Sequence, residues 1–208
     1  MSQFFQIHCD NPQPRLIRQA AAVVVEGGVI VYPTDSGYAL GCRLGDKGAL
    51  ERIRTIRRVD DKHHFTLVCR DLSEIGTYAR VENSIYRLLK AVTPGPYTFI
   101  LQATREVPRR MMHPKRKTVG LRVPSNPIAL GLLQELGEPL LSSTLILPGQ
   151  SVPESDPYEI RATLEHQVDL IIDGGYGSLE PSTVVDLTEE VPQIMRVGLG
   201  ATEPFEVE

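Results

Sequence analysis

The run VIVYPT at 29–34 is β-branched and aromatic, with no charged or amide residue inside it. That pattern fits neither a helix face nor a half-exposed strand, and it reads as a strand covered on both sides. Such a strand needs a layer above and a layer below, and the flanking sequence supplies helices. Before it, Asn11 can cap and Pro12 can open a helix in which Leu16, Ile17, Ala20, Val23 and Val24 share one face, with Gly27 and Gly28 as its stop. After it, Asp35-Ser36-Gly37 turns the chain into YALGC, and Asp46 can cap a helix bearing Leu50, Ile53 and Ile56 on one side. FTLVC at 65–69 reads as a second buried strand. Helices near 82–92, 126–136 and 157–166, and strands near 96–101, 118–123, 139–147, 169–173, 182–187 and 193–197, continue the series. Several strands follow one another directly, which predicts an α/β (α+β) chain with a three-layer build and a mixed, twisted sheet instead of a purely parallel one. At 208 residues, 41% hydrophobic and 23% charged, the chain is expected to form a single domain over 1–208.

No apolar run reaches the ~18–20 residues that cross a bilayer, and the N-terminus lacks a basic segment followed by an apolar one. The expectation is a cytoplasmic protein without a membrane partner. Cys9, Cys42 and Cys69 are too few and too scattered for a disulfide framework, and no CxxC or HxxxH spacing suggests a metal site. The net charge of −4 conceals an asymmetry: residues 1–153 carry 20 Lys+Arg against 13 Asp+Glu, and residues 154–208 carry 2 against 13. A basic body with an acidic last quarter points to an anionic ligand such as nucleotide phosphate or RNA.

Three segments can carry chemistry. VYPTDSGYALGC sets Thr34, Ser36 and Tyr38 where a buried strand turns sharply, so their hydroxyls can hold a small polar ligand or satisfy a hairpin. KRKTVGLRVPSNP puts Thr118 and Arg122 on one face of a strand. An arginine inside an apolar strand needs an anionic partner, from a ligand or a protein carboxylate. Its neighbours Leu121, Val123 and Pro124 offer none, so a ligand anion is the expectation. Ser182 and Thr183 open STVVDL after a Gly-rich loop that lets backbone amides approach a ligand.

Together PTDSGYALG, TPGPYTFIL, VGLRVPSNP, GEPLLSST, LIIDGG and PSTVVDL resemble, in order and spacing, the YrdC/Sua-type family of threonylcarbamoyl-AMP synthases, and most of all its YciO branch, over about residues 15–200. The resemblance implies a large, basic concave cavity in a YrdC-like domain. It implies nucleotidyltransferase chemistry that joins ATP, L-threonine and bicarbonate into threonylcarbamoyl-adenylate, with magnesium on the triphosphate, as the first step of N6-threonylcarbamoyladenosine formation in tRNA. Position by position, Thr34, Tyr38, Arg122 and Ser182 would bind substrate. Arg57, Thr118, Thr144 and Arg196 would bind ATP or AMP, and Arg57 and Arg122 would act in catalysis. Double-stranded RNA binding is also implied for some members.

Two departures qualify this. Synthases carry Lys-x-Arg-Pro after the second helix, where this chain has IRRVDDKHH, with Arg57 in the lysine place and Val59 in the arginine place. Arg58 or His63 can substitute if the loop is shifted. Synthases also carry Ser-x-Asn, set here against Thr144 and Ile146, which exchanges an amide for an aliphatic group. A weakened or divergent synthase is the resulting expectation. In REVPRRMMHPKRK, Arg109, Arg110, Lys115 and Lys117 suit a duplex RNA or tRNA backbone and equally a solvated loop, giving RNA binding as the alternative.

Overall fold

A computed structural model describes residues 1–60, 63, 65–113 and 115–206. The chain runs β1 (Gln3–Gln6), α1 (Pro14–Val25), β2 (Ile30–Thr34), β3 (Gly37–Arg43), α2 (Lys47–Arg57), β4 (Thr66–Val68), α3 (Leu72–Tyr78), α4 (Asn83–Val92) and β5 (Tyr97–Gln102). It continues through β6 (Thr118–Arg122), α5 (Pro127–Leu136), β7 (Leu140–Thr144), α6 (Pro157–Leu164), β8 (Leu170–Asp173), β9 (Thr183–Asp186) and β10 (Gln193–Arg196). Among the described residues ten strands form one sheet in the order β1-β8-β2-β3-β7-β4-β6-β5-β9-β10. Parallel pairs such as β4/β6 and β5/β9 mix with antiparallel ones such as β2/β3 and β5/β6, as expected for a mixed sheet.

Alternation along the strands separates two cores. Val31, Leu40, Leu67, Phe99, Leu121 and Val185 join Ile53, Ile75, Leu89 and Ile160 of α2, α3, α4 and α6. Their strand neighbours Ile30, Tyr32, Val68, Leu140 and Ile172 join Ile17, Val24, Ile128 and Leu132 of α1 and α5 on the opposite face. Period-two alternation makes these assignments mutually exclusive, so helices cover both faces. The second core takes no buried residue from β5, β6, β9 or β10. Over that part of the sheet the α1/α5 layer is missing.

Local signals explain most boundaries. Asp46 accepts from Ala49 N, and Asn126 accepts from Ile128 N and Ala129 N, each capping the helix that follows. The first helix corrects the sequence reading: it begins at Pro14 after Gln13, without a side-chain cap, and Asn11 and Pro12 lie outside it. Two elements were not anticipated. The four residues of β1 are held by parallel pairing with β8. The short α3 buries only Ile75, too little for a periodic stripe, although Asp71 accepting from Glu74 N is a capping signal visible in the sequence. Among the described residues no helix is long and apolar enough to cross a membrane. Cys42 and Cys69 are buried and Cys9 is exposed, all three free.

Candidate active site

The uncovered part of the sheet floors a cavity of about 320 Å³. Thr66 of β4, Thr118 and Gly120 of β6, Thr98 and Ile100 of β5 and Val184 of β9 line it. Pairing places Thr66 beside Gly120, Gly120 beside Ile100 and Thr98 beside Val184, so hydroxyl, glycine and branched aliphatic positions together form the floor. A Cβ at Gly120 would stand 3.2 Å from Thr66 Oγ1, tighter than ordinary contact. The walls are Arg57 and His63, the end of β7 with Ser143, Thr144 and Ile146, the basic loop through Met111, His113 and Arg116, and Ser182, Met195 and Arg196. Among the described residues the lining is mixed: apolar side chains alternate with hydroxyls, two histidines and three arginines.

The arginines differ. Arg57 ends α2, donates through Nη1 to Ser143 Oγ at 2.8 Å and to the Thr144 carbonyl, and leaves Nε buried without a partner. Burial lowers its pKa from the ordinary arginine value. Among the described residues it has no carboxylate partner, so its charge is available to a ligand. Arg196 donates twice to the Ser182 carbonyl, at 3.0 and 2.8 Å, and to Ser182 Oγ at 3.2 Å; Ser182 Oγ in turn lies 2.8 Å from Thr98 Oγ1. Burial, then the like charge of Arg122, lowers the Arg196 pKa. Arg116 is already paired, donating to Asp186 at 2.7 Å and to Thr188 Oγ1 at 2.9 Å. Burial pushes the Asp186 carboxyl up, but hydrogen bonds from Thr188 and Arg116 outweigh it and the pKa lies below the ordinary value.

Five of the site residues expected from the sequence meet here: Arg57, Thr118, Thr144, Ser182 and Arg196. Three do not line the cavity. Arg122 corrects the reading most sharply, because its partner is a protein carboxylate. Its Nη2 donates to Asp35 Oδ2 at 3.0 Å, with both side chains 7% exposed. Asp35 Oδ1 also accepts from Ser125 N, Ser125 Oγ and Asn126 N, so the carboxylate ties the β2–β3 turn to the start of α5. The Thr34 hydroxyl serves its own hairpin, donating to the Gly37 carbonyl at 2.7 Å and accepting from Ser36 N. Tyr38 is fully buried in the core on the other face, donating to the Gly175 carbonyl and accepting from Gly174 N.

Of the two candidates for the missing cation, Arg58 is exposed as the left-handed cap of α2 (φ 49°), whereas His63 lines the cavity. Its Nε2 lies 3.1 Å from Ser143 Oγ. Ile146 also faces the cavity, so the exchange of amide for aliphatic group falls inside it. Arg109, Arg110, Lys115 and Lys117 are exposed on the loop at the cavity's edge. Ser143, Asp35, His113 and the Arg116–Asp186 pair escaped the sequence reading because each depends on contacts across the fold. Among the described residues, His8, Cys9 and Asp10 bring metal-ligating atoms within 4.8 Å, but they are exposed and His8 Nδ1 already accepts from Asp10 N and Asn11 N.

The family model of Sua5, YciO and YrdC proteins, described as "Telomere recombination", matches residues 22–198. The chain belongs to the Sua5/YciO/YrdC family. Within that family, a Haemophilus influenzae protein is 65% identical over 206 residues, covering 99% of this chain and all of its own. The crystal structure of E. coli YciO is 62% identical, superposes with a TM-score of 0.96 and covers 99% of this chain and 100% of that one. A threonylcarbamoyl-AMP synthase of Nitrosococcus oceani is 31% identical over 172 residues, covering 82% and 92%. P. abyssi Sua5 complexed with L-threonine superposes with a TM-score of 0.86 at 26% identity, over 95% of this chain and 58% of that one. The Sua5/YciO/YrdC fold is therefore present almost end to end.

Proposed function

We propose that the cavity binds ATP and that the chain is a weakened threonylcarbamoyl-adenylate synthase, using L-threonine and bicarbonate as co-substrates. The observation that carries the reading is Arg57, a half-buried guanidinium without a carboxylate partner among the described residues, facing a cavity that also holds Arg196. The relationship to the N. oceani synthase and to a Sua5 complexed with L-threonine supplies the reaction class. The step joins a carbamate oxygen to the α-phosphate and expels pyrophosphate. It needs positive charge against phosphate repulsion and fixed geometry more than covalent help from the protein. Arg57 and Arg196 would offset phosphate charge, and the hydroxyls of Thr98, Thr118 and Ser182 would orient polar groups. Arg122, held by Asp35, would act by shaping the cavity's edge and by its charge close to Arg196. The described lining has no Asp or Glu, so a magnesium ion finds no carboxylate there and would arrive on the triphosphate as part of the substrate.

Val59 and Ile146 stand where synthases place charge and amide, and losing a transition-state contact lowers rate more than it lowers ground-state affinity. The test is pyrophosphate release with ATP, threonine and bicarbonate, comparing the parent with Val59→Arg plus Ile146→Asn. A slow parent and a faster double variant are expected; a parent already at ~1–10 s⁻¹ refutes the weakened-synthase reading. The four exposed cations Arg109, Arg110, Lys115 and Lys117 favour a second role, binding of duplex RNA or tRNA by its phosphates. Changing all four to Glu should abolish retention of duplex RNA, and parent binding should weaken steeply from ~50 to ~200 mM salt. Salt-insensitive binding contradicts that role.

A further inference from the structure

The cavity holds a hydroxyl that the proposed adenylation does not use. Ser143 stands near the end of β7, 5% exposed, and Oγ meets groups from two other segments: Arg57 Nη1 at 2.8 Å and His63 Nε2 at 3.1 Å. A guanidinium can only donate, so Arg57 occupies a lone pair of Oγ. Assigning the serine proton to His63 Nε2 then gives Oγ one donor and one acceptor, with the neutral imidazole protonated at Nδ1. The Phe65 ring meets His63 edge-on at 5.1 Å and helps set the imidazole plane. A hydroxyl that faces a base on one side and a cation on the other is built as a nucleophile, since the base takes the proton and the cation stabilises the developing oxyanion.

The rest of the cavity limits the electrophile. A serine oxygen attacks a carbonyl carbon readily when the leaving group is good, and the arginines here suit an anionic leaving group such as phosphate or a nucleoside monophosphate. Both conditions meet in a mixed anhydride of a carboxylic or carbamic acid with a phosphate. We propose that Ser143 is an acyl acceptor for such acyl phosphates or acyl adenylates, with His63 as its general base. The inference rests on the cavity's accepting phosphate ligands. The Oγ–carbonyl carbon bond forms and the carbonyl carbon–phosphate oxygen bond breaks. The phosphate leaves with the electron pair, and the Ser143 proton passes to His63 Nε2 and from there to the departing phosphate. The product is an acyl-serine ester, with no change of oxidation state and no further co-reactant.

Acetyl phosphate is the probe. The full chain is incubated with it, digested, and the site of acetylation located by fragment mass spectrometry. Expected is an acetyl group on Ser143, absent when the parent is denatured before exposure. Ser143→Ala should lose that label while keeping its melting temperature, and Ser143→Cys should retain labelling at position 143. His63→Gln should slow labelling by ~10²–10⁴-fold. Acetylation confined to lysines, or equal in folded and denatured protein, overturns the proposal, as does labelling of Ser143 at an undiminished rate in His63→Gln. Calorimetry with ATP on the same preparations separates the two readings. A parent that binds ATP but leaves Ser143 unlabelled defeats the acyl-acceptor role alone, whereas labelled Ser143 without ATP binding keeps that role and defeats the nucleotide reading.

Discussion

Along β2, Ile30 and Tyr32 pack beneath α1 and α5 while Val31 faces the opposite core; along β5, Phe99 and Leu101 enter that same opposite core, but Thr98 and Ile100 face a cavity. The two regions share one sheet and one alternation. They differ in whether a helix layer closes the second face, and the residue types follow from that. Where α1 and α5 close it, the strands are mostly apolar on both sides, with the Ser142 hydroxyl satisfied by Tyr32 Oη at 2.8 Å. Where they do not, the same strand positions carry Thr66, Thr98, Thr118 and Gly120, and arginines enter from the ends of α2 and β10. Arg122 and Asp35 mark the border, a buried pair that links the β2–β3 turn of the covered region to β6, which floors the open one.

That border gives the largest expected effect. Arg122→Met and Asp35→Asn should each destabilise by about 3–5 kcal/mol in urea unfolding, because each leaves buried polar or charged groups without their partner. A stably folded Arg122→Met chain would mean that the pair is not what joins the regions. Next comes the covered face. Leu132→Ala on the buried face of α5 should cost ~2–5 kcal/mol and leave ATP affinity unchanged, whereas Ile100→Ala, on the floor of the open cavity, should cost less and change affinity. Similar costs for both would erase the contrast between closed and open faces. Gly120→Ala should cost about 1 kcal/mol, since its Cβ crowds Thr66 Oγ1, and should weaken nucleotide binding measurably by calorimetry.

The smallest effect is electrostatic. Asp186 has a lowered pKa in the folded chain, so its pairing contributes stability above the ordinary carboxylate value of 3.8, and that contribution is lost as pH falls through the lower folded value. Melting temperatures read down through this acid range should fall less in Asp186→Asn than in the parent. Equal slopes would show that the pair does not anchor the basic loop to β9.

How much of this was legible depends on the range of the interaction. Asp46 and Asn126 cap helices through residues two or three positions ahead, and VIVYPT carries its burial on its face, so local chemistry sufficed. The first helix misled because Pro14 and the Asn11-Pro12 pair both offer a start, and only the first lies in it. Arg122 misled more deeply. Its partner is 87 residues away, and the apolar neighbours that seemed to leave it to a ligand say nothing about a turn brought in by the sheet. Tyr38 and Thr34 carry polar groups in an apparently ligand-ready turn, yet backbone groups of Gly37, Gly174 and Gly175 already engage them. The family motifs identified the fold because they are spread along the whole chain. They could not show that α1 and α5 stop short of β5, β6 and β9, which is what makes the cavity.

The most direct test of the account is calorimetric titration of ATP into the parent and into Arg57→Met plus Arg196→Met. If the open face of the sheet is a nucleotide site, the parent binds in the micromolar-to-millimolar range, about −8 to −4 kcal/mol, and the double variant loses at least tenfold in affinity while its melting temperature stays near the parent's. Absence of binding by the parent, or equal affinity in the double variant, would contradict the assignment of this cavity to nucleotide.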